Sequence, residues 1–194
     1  MGRGLVLVGI LVTSIAPAHA GDAAAGKAKA QFCAACHGAN GVSATPGTPS
    51  LAAQTDAFLE WQLVYFRSGA RKNALMSPVA ESLSDDDIQN LGAYFATLSP
   101  PKPAAGALDP AAMADGAKVA AKYRCGSCHQ RNYAGLEQAA RLAAQREDYL
   151  AQSLRDFKSG ARRGGGGAGA MPDVAFPMTE QEIKAVAYYL ARHP

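Results

Sequence analysis

One short pattern constrains this chain more than any other, and it occurs twice: Cys33-Ala34-Ala35-Cys36-His37 and Cys125-Gly126-Ser127-Cys128-His129. Each copy stands in a longer matching stretch. Leu51-Ala52-Ala53-Gln54 returns as Leu142-Ala143-Ala144-Gln145, and Ser68-Gly69-Ala70-Arg71 as Ser159-Gly160-Ala161-Arg162. Met76-Ser77-Pro78-Val79-Ala80 returns as Met171-Pro172-Asp173-Val174-Ala175. Self-similarity on this scale points to one folding unit used twice. Pro100, Pro101, Pro103 and Pro110 break any helix between the copies. The expected organisation is a unit over 21–99, a proline-rich linker over 100–110 and a second unit over 111–194.

Helical spacing dominates both units, so the expected fold is all-α. Phe58, Leu59, Leu63 and Phe66 repeat as Tyr149, Leu150, Leu154 and Phe157. Ile88, Leu91, Tyr94 and Phe95 repeat as Ile183, Val186, Tyr189 and Leu190. Ser84 with Asp87, and Thr179 with Glu182, each place a hydroxyl cap three residues before an acid, which predicts a helix start. An alanine-rich helix is expected before each cysteine pair, over 23–32 and 111–123. Ahead of the first unit, Arg3, a short apolar run and Ala18-His19-Ala20 have the form of a secretory signal peptide over 1–20. That predicts export to the periplasm.

C-x-x-C-H is the attachment signal for a c-type haem. Two thiols three positions apart can bond the two vinyl groups of one porphyrin, and the adjacent imidazole can then bind iron. Two copies predict two covalently bound haem c groups, held by Cys33 and Cys36 and by Cys125 and Cys128, with His37 and His129 on the iron. A four-cysteine zinc site is disfavoured, because 88 residues separate the pairs. A thioredoxin-like pair needs a βαβ setting that the sequence does not offer. Of the four histidines, His19 leaves with the signal peptide and only His193 remains unassigned, so bis-histidine ligation of both irons is impossible. The remaining ligands are expected to be Met76 and Met171, which occupy matching places 39 and 42 residues after their histidines. Met113 and Met178 are expected to pack. Full coordination favours electron transfer over catalysis.

Residues 21–99 carry 5 Lys+Arg against 7 Asp+Glu, and residues 111–194 carry 12 against 8. Neither balance gives the basic face that nucleic-acid binding needs.

These motifs, with Pro49 and Asn132-Tyr133-Ala134-Gly135, resemble the cytochrome c4 family of dihaem class I c-type cytochromes across nearly the whole mature chain. The resemblance implies two tandem class I cytochrome c domains related by internal duplication, and an electron carrier rather than an enzyme. It implies passage of single electrons in a respiratory chain, from a quinol-oxidising cytochrome bc complex or a dehydrogenase to a terminal oxidase. Peripheral membrane association stays open. Similar chains also act as cytochrome subunits of periplasmic dehydrogenases, such as flavocytochrome sulfide dehydrogenases. Dihaem enzymes such as peroxidases or thiosulfate dehydrogenases are a third reading. In class I cytochromes a proline carbonyl accepts a hydrogen bond from the iron-bound imidazole; Pro49 matches it in the first half, and Ala140 stands in its place in the second. Gly164-Gly165-Gly166-Gly167 lengthens the loop before Met171, which predicts a weaker second iron–methionine bond.

Overall fold

The computed structural model describes residues 21–163 and 169–194. The expected signal peptide and Gly164–Gly167 lie outside the described residues. Among those described, all regular structure is helical, apart from one isolated bridge between Leu136 and Ala139. The first half holds α1 (Ala23–Lys29), α2 (Gln31–His37), α3 (Asp56–Arg67), α4 (Met76–Glu81) and α5 (Asp85–Ala96). The second holds α6 (Pro110–Lys122), a 3-10 turn (Cys125–Ser127), α7 (Glu147–Ser159), α8 (Met171–Ala175) and α9 (Glu180–Arg192).

Both halves are assembled alike. In the first, α5 packs on α1 and α3, and α3 on α4; in the second, α9 packs on α6 and α7, and α7 on α8. Local sequence explains where these helices start. Asp22 and Asp109 cap α1 and α6, and Pro110, the last residue of the expected linker, opens α6, where its missing N–H costs nothing. Ser84 and Thr179 form full capping boxes with Asp87 and Glu182. Two glycines set the closest helix contact. A Cβ on Gly26 would stand 1.9 Å from Asn90 O on α5, and one on Gly116 would stand 2.3 Å from Ala185 O on α9.

The apolar faces close into two separate cores. Leu59, Ile88, Leu91 and Phe95 anchor the first; Leu150, Phe157, Ile183, Val186 and Leu190 anchor the second, together with Met178. One expectation needs correction. The helix expected over 23–32 ends at Lys29; a new helix then runs through the cysteine motif to His37, with Ala30 right-handed between them (φ −62, ψ −12). In the second half Arg124 is left-handed (φ 53), which stops α6 and leaves Cys125–Ser127 as a single 3-10 turn.

The halves meet through side-chain-to-backbone bonds whose roles are exchanged across the interface. Gln145 accepts from Ser50 N–H through Oε1 and donates to Ser50 O through Nε2, both at 2.8 Å. Gln54 does the same with Arg141, both at 2.9 Å. Gly47 N–H donates to Asp148 (2.9 Å), and the Thr55 hydroxyl donates to Glu137 O. The linker is fixed to α9 by Ala104 N–H on Ala191 O (2.8 Å) and Asp109 N–H on the Tyr188 hydroxyl (3.0 Å).

Candidate haem sites

His37 ends α2 and His129 follows the 3-10 turn; both are buried. His37 Nδ1 is 2.8 Å from Pro49 O, and His129 Nδ1 is 2.7 Å from Ala140 O. A carbonyl only accepts, so each Nδ1 carries the hydrogen and each Nε2 keeps its lone pair. Burial pushes both imidazoles down, against a smaller upward pull from these bonds, and so keeps them neutral. The second half thus retains the bond without the proline, because only the carbonyl is needed.

Burial pushes the Cys33 and Cys125 thiols up, the reverse of what an activated redox nucleophile requires. All four cysteines are free of disulfides, and no described group of three or more His, Cys, Asp or Glu could hold a metal ion by itself. Nothing in that geometry draws the two cysteine pairs into one zinc site.

Met76 opens α4 and Met171 opens α8, both half-buried. Met171 packs on the second core. Met178 is fully enclosed in that core, whereas Met113 is only half-buried on α6. Sequence reasoning missed Asn73, whose Oδ1 accepts from Leu75 N–H (3.0 Å) and Met76 N–H (2.9 Å) and so fixes the start of α4. An asparagine three residues ahead of a helical methionine is a recognisable turn signal.

Sequence reasoning also missed a cluster around Gln62 at the junction of the halves. Arg71 and Arg162, equivalent in the repeat, both donate to Gln62 Oε1 (2.7 and 2.9 Å) and approach the Tyr149 hydroxyl (3.3 and 3.5 Å). Burial would push the Tyr149 phenol up, but the two guanidiniums outweigh it and bring it down to about 7. Neither arginine has a carboxylate partner among the described residues, and Arg141 Nε is buried with no partner at all.

These features fit haem c. The thiol pairs and neutral imidazoles supply the anchoring and donor groups. Phe32 (85% exposed), Leu75 (77%) and Phe176 (72%) lie close in sequence to Cys33, Met76 and Met171, and present apolar surface of the kind a porphyrin covers. Uncompensated arginines suit a group bearing two propionates.

The family model for cytochrome c matches this chain twice, over residues 23–99 and 113–193. Cytochrome c4 of Azotobacter vinelandii is 36% identical over 98% of this chain and 98% of its own length. The crystal structure of reduced recombinant cytochrome c4 from Pseudomonas stutzeri superposes with a TM-score of 0.82 at 31% identity, covering 90% of this chain and all of that one. A thiosulfate dehydrogenase electron acceptor from Thiomonas intermedia is 35% identical over 88% of this chain and 82% of its own length.

Fold and motifs together define a two-domain c-type cytochrome, an electron carrier rather than an enzyme, with two covalently bound haem c groups attached through the Cys33/Cys36 and Cys125/Cys128 motifs. Its partners are redox proteins. The chain belongs to the cytochrome c4 family.

Proposed function

We propose that His37 and Met76 ligate the first iron and His129 and Met171 the second, in domains spanning 21–99 and 111–194 joined by the 100–110 linker. The observation that carries this reading is the pair of Nδ1–carbonyl bonds, which leaves each Nε2 as a free donor beside its cysteine motif. Each methionine opens the short helix at the matching place in its repeat. A haem supplies a one-electron couple; the chain fixes the imidazole tautomer, the donor atoms and the burial that tune it. Met76→Ala and Met171→Ala should each remove about half of the red charge-transfer band of thioether-ligated ferric iron, and together all of it. Either variant leaving that band at full height would refute the assignment.

The protein works in the periplasm, after removal of residues 1–20, and passes electrons from a quinol-oxidising cytochrome bc complex or a dehydrogenase to a terminal oxidase. A second reading, acceptance of electrons from a thiosulfate dehydrogenase, is favoured by the likeness to the Thiomonas intermedia electron acceptor. Stopped-flow reduction and oxidation test each reading. Fast oxidation by oxidase-containing membranes supports the first, and fast reduction by thiosulfate with its dehydrogenase supports the second. A cytochrome that neither oxidase nor dehydrogenase turns over would discard both.

A further inference from the structure

The repeated Leu-Ala-Ala-Gln motif plays no part in the ligation proposed above, yet its glutamines are among the most enclosed polar side chains: Gln54 is 4% exposed and Gln145 3%. In both copies the preceding alanine is left-handed, Ala53 at φ 55 and Ala144 at φ 56, a conformation alanine rarely adopts. Each of these alanines is held by its own half, Ala53 N–H on Phe95 O and Ala144 N–H on Leu190 O, both at 3.0 Å. The backbone is thus fixed at home while the next side chain is delivered to the other half.

What it meets there is the peptide that holds the imidazole. The unit joining Pro49 to Ser50 accepts from His37 at its carbonyl (2.8 Å) and donates its N–H to Gln145 Oε1 (2.8 Å). The unit joining Ala140 to Arg141 accepts from His129 (2.7 Å) and donates to Gln54 Oε1 (2.9 Å). One planar amide is therefore bonded at both ends, to the histidine of its own half and to the glutamine of the other.

We propose that Gln145 and Gln54 are positioning residues that act in trans, each polarising the peptide bonded to the opposite half's iron-ligating imidazole and so setting that histidine's donor strength. The inference rests on ligation by His37 and His129. An amide that donates through N–H carries more negative charge on its oxygen, and linked hydrogen bonds strengthen one another by roughly 10–30%. A stronger acceptor draws the Nδ1 hydrogen, makes the ring a better donor and favours ferric iron. Loss of the glutamine favours ferrous iron in the half it does not belong to.

The test is a spectroelectrochemical titration of the full-length haem-loaded protein, with the two haems told apart by NMR of each histidine ring N–H. Gln145→Leu should raise the reduced-to-oxidised ratio of the first haem about two-fold at fixed poise and move the His37 Nδ1–H resonance, leaving the second haem nearly unchanged. Gln54→Leu should do the mirror image. Gln145→Glu keeps an acceptor for Ser50 N–H, so it should lower the first haem's ratio more than the second's; it carries the test if the leucine variants fail to fold. Shifts confined to the variant's own half, equal shifts of both haems, or no shift would each overturn the proposal. A wild-type spectrum without histidine–methionine ligation would sink the ligation assignment itself; an intact spectrum with no crossed shift would sink only the trans coupling.

Discussion

Replacing Gly26 by alanine sets two effects of opposite sign against each other. Gly26 lies inside α1, where alanine is better than glycine by about 1 kcal/mol of helix propensity. Propensity alone therefore makes Gly26→Ala stabilising. The packing says otherwise: the new methyl would stand 1.9 Å from Asn90 O and 2.8 Å from the Tyr94 Cβ, where ordinary contact begins at 3.4 Å. Backbone cannot rotate away, so α1 and α5 must part by about 1.5 Å, loosening van der Waals contacts along the pair. Overpacking of this kind costs about 3 kcal/mol, which leaves a net loss of about 2 kcal/mol. For a unit of this size that lowers Tm by about 10 °C. Thermal unfolding of the haem-loaded protein, followed by circular dichroism, reads it directly. Gly116→Ala, with its methyl 2.3 Å from Ala185 O, should behave alike in the second half. Gly169→Ala meets nothing within 4 Å and should change stability by less than about 0.5 kcal/mol. A Gly26→Ala protein melting at or above wild type would refute the close-contact reasoning.

Two further outcomes are expected. Glu182 is held at about 2 by bonds from Lys122 and from Thr179 N–H, with a smaller contribution from Tyr123. Its folded value is depressed, so its stabilisation is full above the ordinary carboxylate range and is lost as pH falls from about 4.5 towards about 2. Glu182→Gln should flatten the acid unfolding curve of the second half across that window; an unchanged slope would count against the assignment. Gln62→Leu takes the shared acceptor from Arg71 and Arg162 and should weaken the junction of the halves by about 2 kcal/mol. Small-angle scattering in moderate urea should then show an expanded molecule while each half keeps its helices, and identical profiles would argue against it.

What could be read in advance follows the range of the interaction. Both capping boxes and both buried faces were legible because they depend on residues three or four apart, such as Ser84 with Asp87 and Ile183 with Val186. The all-α duplicated architecture followed from comparing one half with the other. The break at Ala30 was not legible, since alanine carries no stop signal, and neither were the left-handed Ala53 and Ala144, whose conformation is imposed by bonds to Phe95 and Leu190 far along the chain. At the sites, the cysteine and histidine pattern stood out as a local motif. The partners that Gln54, Gln145 and Gln62 find in the opposite half were hidden because they lie 87 to 100 residues away.

The linker's attachment to α9 has a consequence for assembly. Its two anchors, Tyr188 and Ala191, lie on α9 and are made after the linker and most of the second half. Until they arrive, the tether between the halves has nothing to lie against and the first half can swing on it. Seating of the tether therefore waits for α9, and a chain cut short before Tyr188 would keep its leading half on a loose leash.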